Sequence, residues 1–69
     1  MNPRNAKLDE LKVMAKANGR KVARGEMTHS DAVLANSSQV FAVEVDHPDL
    51  FPHPDKLINL LDRITEANE

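Results

Sequence analysis

Residues 53–67, HPDKLINLLDRITEA, constrain what this chain can fold into more than any other stretch. Pro54 suits the first position of a helix, where its missing N–H costs nothing, and Asp55 puts a carboxylate at the positive end of the helix dipole. Leu57, Leu60, Leu61, Ile64 and Ala67 then share one stripe about 100° wide at the ~100° per residue of an α-helix. Asn59, Asp62 and Glu66 face away from it. An isolated helix this short is marginal in water, so the stripe must be buried, either by the rest of the chain or by another chain.

The rest of the chain is short. Sixty-nine residues make a single domain, 1–69. A domain of this size buries only ~60% of the surface its unfolded chain exposes, and such domains commonly add a disulfide, a metal or a partner chain. There is no cysteine, which removes disulfides and thiolate zinc sites. With two Phe and no Trp or Tyr, the core must be built from Leu, Val, Ile, Met and Ala. No apolar run approaches the ~18 residues of a membrane span, and MNPRNAKLDELK lacks the apolar centre of a signal peptide. The expectation is a soluble, cytoplasmic protein.

The net charge of -2 conceals a division of charge along the chain. Residues 1–25 hold seven bases against Asp9 and Glu10, a net +5, whereas residues 26–69 hold Lys56 and Arg63 against nine acids, a net -7. Such asymmetry bears on partners rather than on fold.

In chain order, Asn2 can cap a helix whose first residue is Pro3. Leu8, Leu11, Met14 or Ala15, and Val22 keep helical spacing, which predicts a first helix over 3–24. Gly19 costs about 1 kcal/mol against Ala inside a helix. Either a close helix approach explains it or the helix breaks at Asn18-Gly19. Gly25 terminates this helix, and Thr28 caps the next, with Asp31 three residues on and Met27 placed to pack just before the cap.

A second helix is expected over 29–45. Leu34, Phe41 and Val45 line one face of it, Val33 and Val40 form a second strip, and Val43 lies further round. Residues 39–45, rich in β-branched side chains, also suit a strand. A lone strand has no partner in this chain, so the alternative requires pairing between two chains. Pro48, Pro52 and Pro54 preclude a continuous helix through 46–53, and Leu50 and Phe51 are expected to plug one end of the bundle. The fold expected is all-α: a small three-helix bundle, oligomeric, with helices about 3–24, 29–45 and 54–67.

Lys12, Lys16, Arg20 and Arg24 recur every fourth residue and form a slowly drifting cationic ridge on the first helix. A ridge of this kind suits phosphates or an acidic protein surface. No aromatic residue interleaves it for base stacking, and neither later helix begins with the Arg, Lys, Asn or Gln of a major-groove reader.

His-Pro-Asp occurs twice, at 47–49 and 53–55, and Lys56 follows the second. His53-Pro54-Asp55-Lys56 opening a helix in a chain of this length resembles the J-domain of co-chaperones. That resemblance implies stimulation of a heat-shock ATPase through the tripeptide. It covers His53 to Lys56 only. The preceding Val45–Pro52 is acidic and broken by prolines where the family has a basic helix, and Leu57–Ala67 lacks the family's Phe and Tyr positions. Read from the residues alone, each tripeptide is a helix start with an acidic first turn.

His47, Asp49, His53 and Asp55 carry ligand chemistry for zinc or another divalent ion, but their spacing matches no metal-site pattern, and no metal or cofactor is expected. His29 reads as a solvent-facing residue in the first turn of the second helix. Ser30, Ser37 and Ser38 are helix residues with no obvious histidine–carboxylate pair, and no Gly-rich phosphate loop occurs.

The function expected is non-enzymatic: a modulator or inhibitor that binds a larger protein with an acidic surface, a class found in bacterial and phage systems. Lys12, Lys16, Arg20, Arg24, Val33 and Val40 are the partner-binding residues expected. The apolar surplus of the second helix points to a homodimer as well. The alternative is a nucleic-acid-associated regulator using the basic face of the first helix.

Overall fold

A computed structural model describes residues 2–69 as three α-helices: α1 (Pro3–Ala23), α2 (His29–Asp46) and α3 (Pro54–Asn68). No strand occurs among the described residues, and 39–45 lie inside α2. The helix ends follow from local chemistry. The Asn2 side chain accepts from the Arg4 N–H at 2.9 Å, and the Thr28 hydroxyl accepts from the Asp31 N–H at 3.0 Å, so each satisfies a donor that the first helical turn leaves orphaned.

The end of α1 is a glycine-terminated reversal. Gly25 has φ +75°, which a side chain would resist, and it allows the Gly25 N–H to reach the Val22 carbonyl and the Glu26 N–H to reach the Lys21 carbonyl.

α3 packs against both other helices, and its apolar stripe lies at the centre of the core. Leu57 and Leu61 are buried among Leu11 and Ala15 of α1, Val40 and Val43 of α2, and Phe51 of the connection, with Leu8, Leu50, Ile58 and Ile64 packed around them. Phe51 and Leu50 therefore plug one end of the bundle, as the prolines on either side of them suggest.

Gly19 does not break α1. The helix continues to Ala23, and a Cβ at Gly19 would collide with the Thr65 carbonyl oxygen and sit 2.8 Å from the Asn68 Cβ. Its helix-propensity cost is offset by the close approach of α1 and α3 that only a missing side chain permits.

α2 departs from the expectation. Its inward face is Ala32, Asn36, Val40 and Val43, and the bulkier stripe of Leu34, Phe41 and Val45 points to solvent. The reason is a buried polar junction. The Asn36 amide donates to Asp62 Oδ1 at 3.1 Å and to Thr65 Oγ1 at 2.9 Å. The Thr65 hydroxyl lies 2.9 Å from the Leu61 carbonyl and 3.2 Å from the Ala15 carbonyl. Asn36 and Thr65 are 2% and 0% exposed, yet no buried side-chain polar atom among the described residues lacks a partner. Small Ala32 and polar Asn36 let α2 come close where α1 and α3 already touch; turning α2 to bury Phe41 would leave these hydrogen bonds unmade.

Candidate functional site

The outward face of α2 is the largest departure from an ordinary helix surface. Leu34, Phe41 and Val45 are 64%, 54% and 82% exposed, and at i, i+7 and i+11 they form one stripe opposite the core. Exposed Ser38 and Ala42 lie between them. The charges of α2 are all acidic: Asp31, Glu44 and Asp46, with no Lys or Arg anywhere in the helix.

Two of the residues expected to bind a partner lie away from this stripe. Val40 is 1% exposed and belongs to the core, and Val33 is half-buried. The physical cause is the rotation that Asn36 imposes on α2: it carries Val40 inward and hands the surface to Leu34, Phe41 and Val45. A sequence signal for this existed. Asn36 sits in helical register with Ala32 and Val40, and a polar residue flanked by apolar ones at i-4 and i+4 marks a strip that needs a buried partner.

The basic ridge is on the surface for most of its length. Lys16, Arg20 and Arg24 are exposed and Lys12 is half-buried. Arg24 is paired with Glu26 at 2.5 Å, while Lys12, Lys16 and Arg20 have no ion-pair partner among the described residues. Val13, 63% exposed, lies one helical turn from Lys16 and two from Arg20, so an apolar side chain stands among the cations.

His29 does more than face solvent. Its ring lies 2.5 Å from a Glu69 carboxylate oxygen and 3.9 Å from one of Glu66, tying the start of α2 to the end of α3. The hydrogen bond to Glu69, then its charge, raise the His29 pKa above the ordinary 6.5.

Of the two His-Pro-Asp tripeptides, 47–49 forms a turn after α2, with the Leu50 N–H bonded to the His47 carbonyl. The second opens α3: His53 is its N-cap, though its side chain makes no capping bond, and Pro54 is in the first turn. No three His, Asp or Glu side chains among the described residues are grouped to hold a metal ion, and no helix is long and apolar enough to cross a membrane. No family model, curated protein or solved structure matches this chain.

Proposed function

We propose that this protein is a non-enzymatic interaction module that modulates or inhibits a larger protein, with the outward stripe of α2 as its contact. The observation that carries this reading is the exposure of Leu34, Phe41 and Val45. Burying such side chains is worth about 1.5–3 kcal/mol each, and the fold forgoes that gain at all three. A partner that covers the stripe recovers it. Lys12, Lys16 and Arg20 on α1, which have no ion-pair partner among the described residues, supply a field reaching about 8 Å at physiological salt, which speeds encounter with an acidic region of the same target.

A second copy of the chain is the simplest occupant to test. Its drawback is charge: an antiparallel α2–α2 pairing sets Asp31 near the partner copy's acidic α2 end, with no Lys or Arg in either helix to offset it. The experiment is sedimentation equilibrium of the wild type and of a Leu34→Ser/Phe41→Ser variant at micromolar concentration, alongside capture of binding proteins by each. The reading requires that the variant keep its melting temperature and lose whatever the wild type retains, a second copy or another protein. Equal behaviour of the two overturns it.

A nucleic-acid role has one observation in its favour, the exposed cations Lys16, Arg20 and Arg24. A phosphate contact shows itself as an affinity for random duplex that falls steeply with salt and disappears in Lys16→Glu/Arg20→Glu.

A further inference from the structure

We propose that the cleft between the start of α1 and the start of α3 binds a small amphipathic monoanion, of which a short-chain carboxylate is the simplest: anionic head at a basic rim, hydrocarbon on an apolar floor. The cleft has a volume of about 230 Å³. Its floor is Leu8, Phe51, Leu57 and Leu60, and its rim is Arg4, His53 and Lys56. Phe51 and Leu57 are buried, whereas Leu8 and Leu60 are only half-buried, so apolar surface is left uncovered within the cleft.

The charge of the lining is selective. The chain holds eleven acids to nine Lys and Arg, yet no acid lines this cleft, not even Asp55 between two of its neighbours. Neither Arg4 nor Lys56 is in an ion pair among the described residues, so their charge is not spent within the fold. The Arg4 guanidinium lies over the Phe51 ring, 5.7 Å from its centroid. This cation–π contact places at the lip a guanidinium, a group able to meet a planar anion with two parallel hydrogen bonds. The start of α3, which has no side-chain cap, adds the positive end of a helix dipole to the same rim.

Size sets the ligand. The cleft is smaller than the ~300–1,000 Å³ of drug-sized sites, so it takes one short acyl chain or one side chain and not a nucleotide or a long lipid. Two sources supply that chemistry, a free acid and the carboxyl-terminal residue of a polypeptide ending in Leu. The inference is independent of the α2 stripe, which lies on another helix.

The test is a titration of the intact chain, followed by amide and methyl NMR shifts, with octanoate, 1-octanol and octylammonium. Octanoate is expected to saturate with shifts confined to residues 4–8 and 51–60, at least about tenfold tighter than octanol, since a charge-assisted bond is at stake. Octylammonium is expected not to bind. An acetylated tetrapeptide ending in Leu, compared with its C-terminal amide, distinguishes the sources: tighter binding of the acid peptide than of octanoate assigns a polypeptide terminus, and the reverse order assigns a free acid. The Arg4→Gln/Lys56→Gln variant should lose about tenfold for octanoate and nothing for octanol. Should loss of the Arg4–Phe51 stack lower its melting temperature, Lys56→Gln alone, which stacks on no ring, should still weaken octanoate about threefold. Octylammonium binding as well as octanoate, unsaturable shifts spread over Leu34 and Phe41, or variants that bind octanoate like the wild type would each overturn the proposal.

Discussion

α2 and α3 use their apolar residues in opposite ways. α3 buries its one stripe, Leu57 and Leu61 at the centre with Ile58, Leu60 and Ile64 partly covered, and turns Asp55, Asn59, Arg63 and Glu66 to water. α2 buries a strip containing Ala32 and Asn36 and leaves Leu34, Phe41 and Val45 outside. On α3 burial of apolar area decides the orientation. On α2 a hydrogen-bonded junction overrides it, because an unsatisfied buried polar group costs about 1–3 kcal/mol and this one joins all three helices. A helix whose sequence carries two apolar strips is oriented by what stands opposite it, and the strip left over becomes surface for a partner.

The contrast is sharpest in truncation. Leu61→Ala removes a side chain 1% exposed and should cost about 2–5 kcal/mol, most of the stability of a domain this small. Phe41→Ala, a larger deletion, should cost no more than about 0.5 kcal/mol. Thermal melts by circular dichroism measure both, and similar losses at the two positions would break the comparison.

Gly19→Ala comes next. The added methyl meets the Thr65 backbone, which cannot swing aside as a side chain can, so about 1–3 kcal/mol of overpacking should outweigh the gain in helix propensity. An unchanged or raised melting temperature would mean that α1 and α3 are further apart than described.

Asn36→Ala tests the reason α2 sits as it does. It removes the bonds to Asp62 and Thr65 and should cost about 1–3 kcal/mol in denaturant unfolding. With that constraint gone, Phe41 should also become less accessible to a surface-labelling reagent if α2 turns inward. Loss of stability with no change at Phe41 would separate the junction's energy from its role in orientation.

The smallest effect is at the far end of the bundle. Because Glu69 raises the folded-state pKa of His29, the stabilisation from this contact is fully present below the ordinary pKa of 6.5 and is lost as pH rises through the raised folded value. His29→Gln should therefore lower the melting temperature at pH 5.5 and leave it nearly unchanged at pH 8.5; an equal loss at both would show that charge is not involved.

What the sequence by itself determined is local. Asn2 and Pro3 start α1, Gly25 ends it, Thr28 caps α2, and the prolines before His53 divide α2 from α3; the observed boundaries fall within one residue of those expected. The stripe of α3 was legible at Leu57, Leu61 and Ile64, but its expected member Ala67 is exposed, Thr65 takes a buried place beside them, and Asp62 is half-buried against Asn36. The cationic ridge and the Leu50–Phe51 plug also follow from residue type and spacing. What only the tertiary structure decided is which face of α2 looks inward, and with it that Val40 is core while Leu34, Phe41 and Val45 are surface. The contacts responsible join Asn36 to Asp62, 26 residues away, and Thr65 to Ala15, 50 residues away. The meaning of Gly19 belongs to the same class, because it depends on the Thr65 carbonyl of another helix. Caps and turns are written in neighbouring residues. The choice between two apolar strips is settled by hydrogen bonds across the bundle; helical periodicity marks Asn36 as a polar residue on an apolar strip, but it does not name the partners on the other helices.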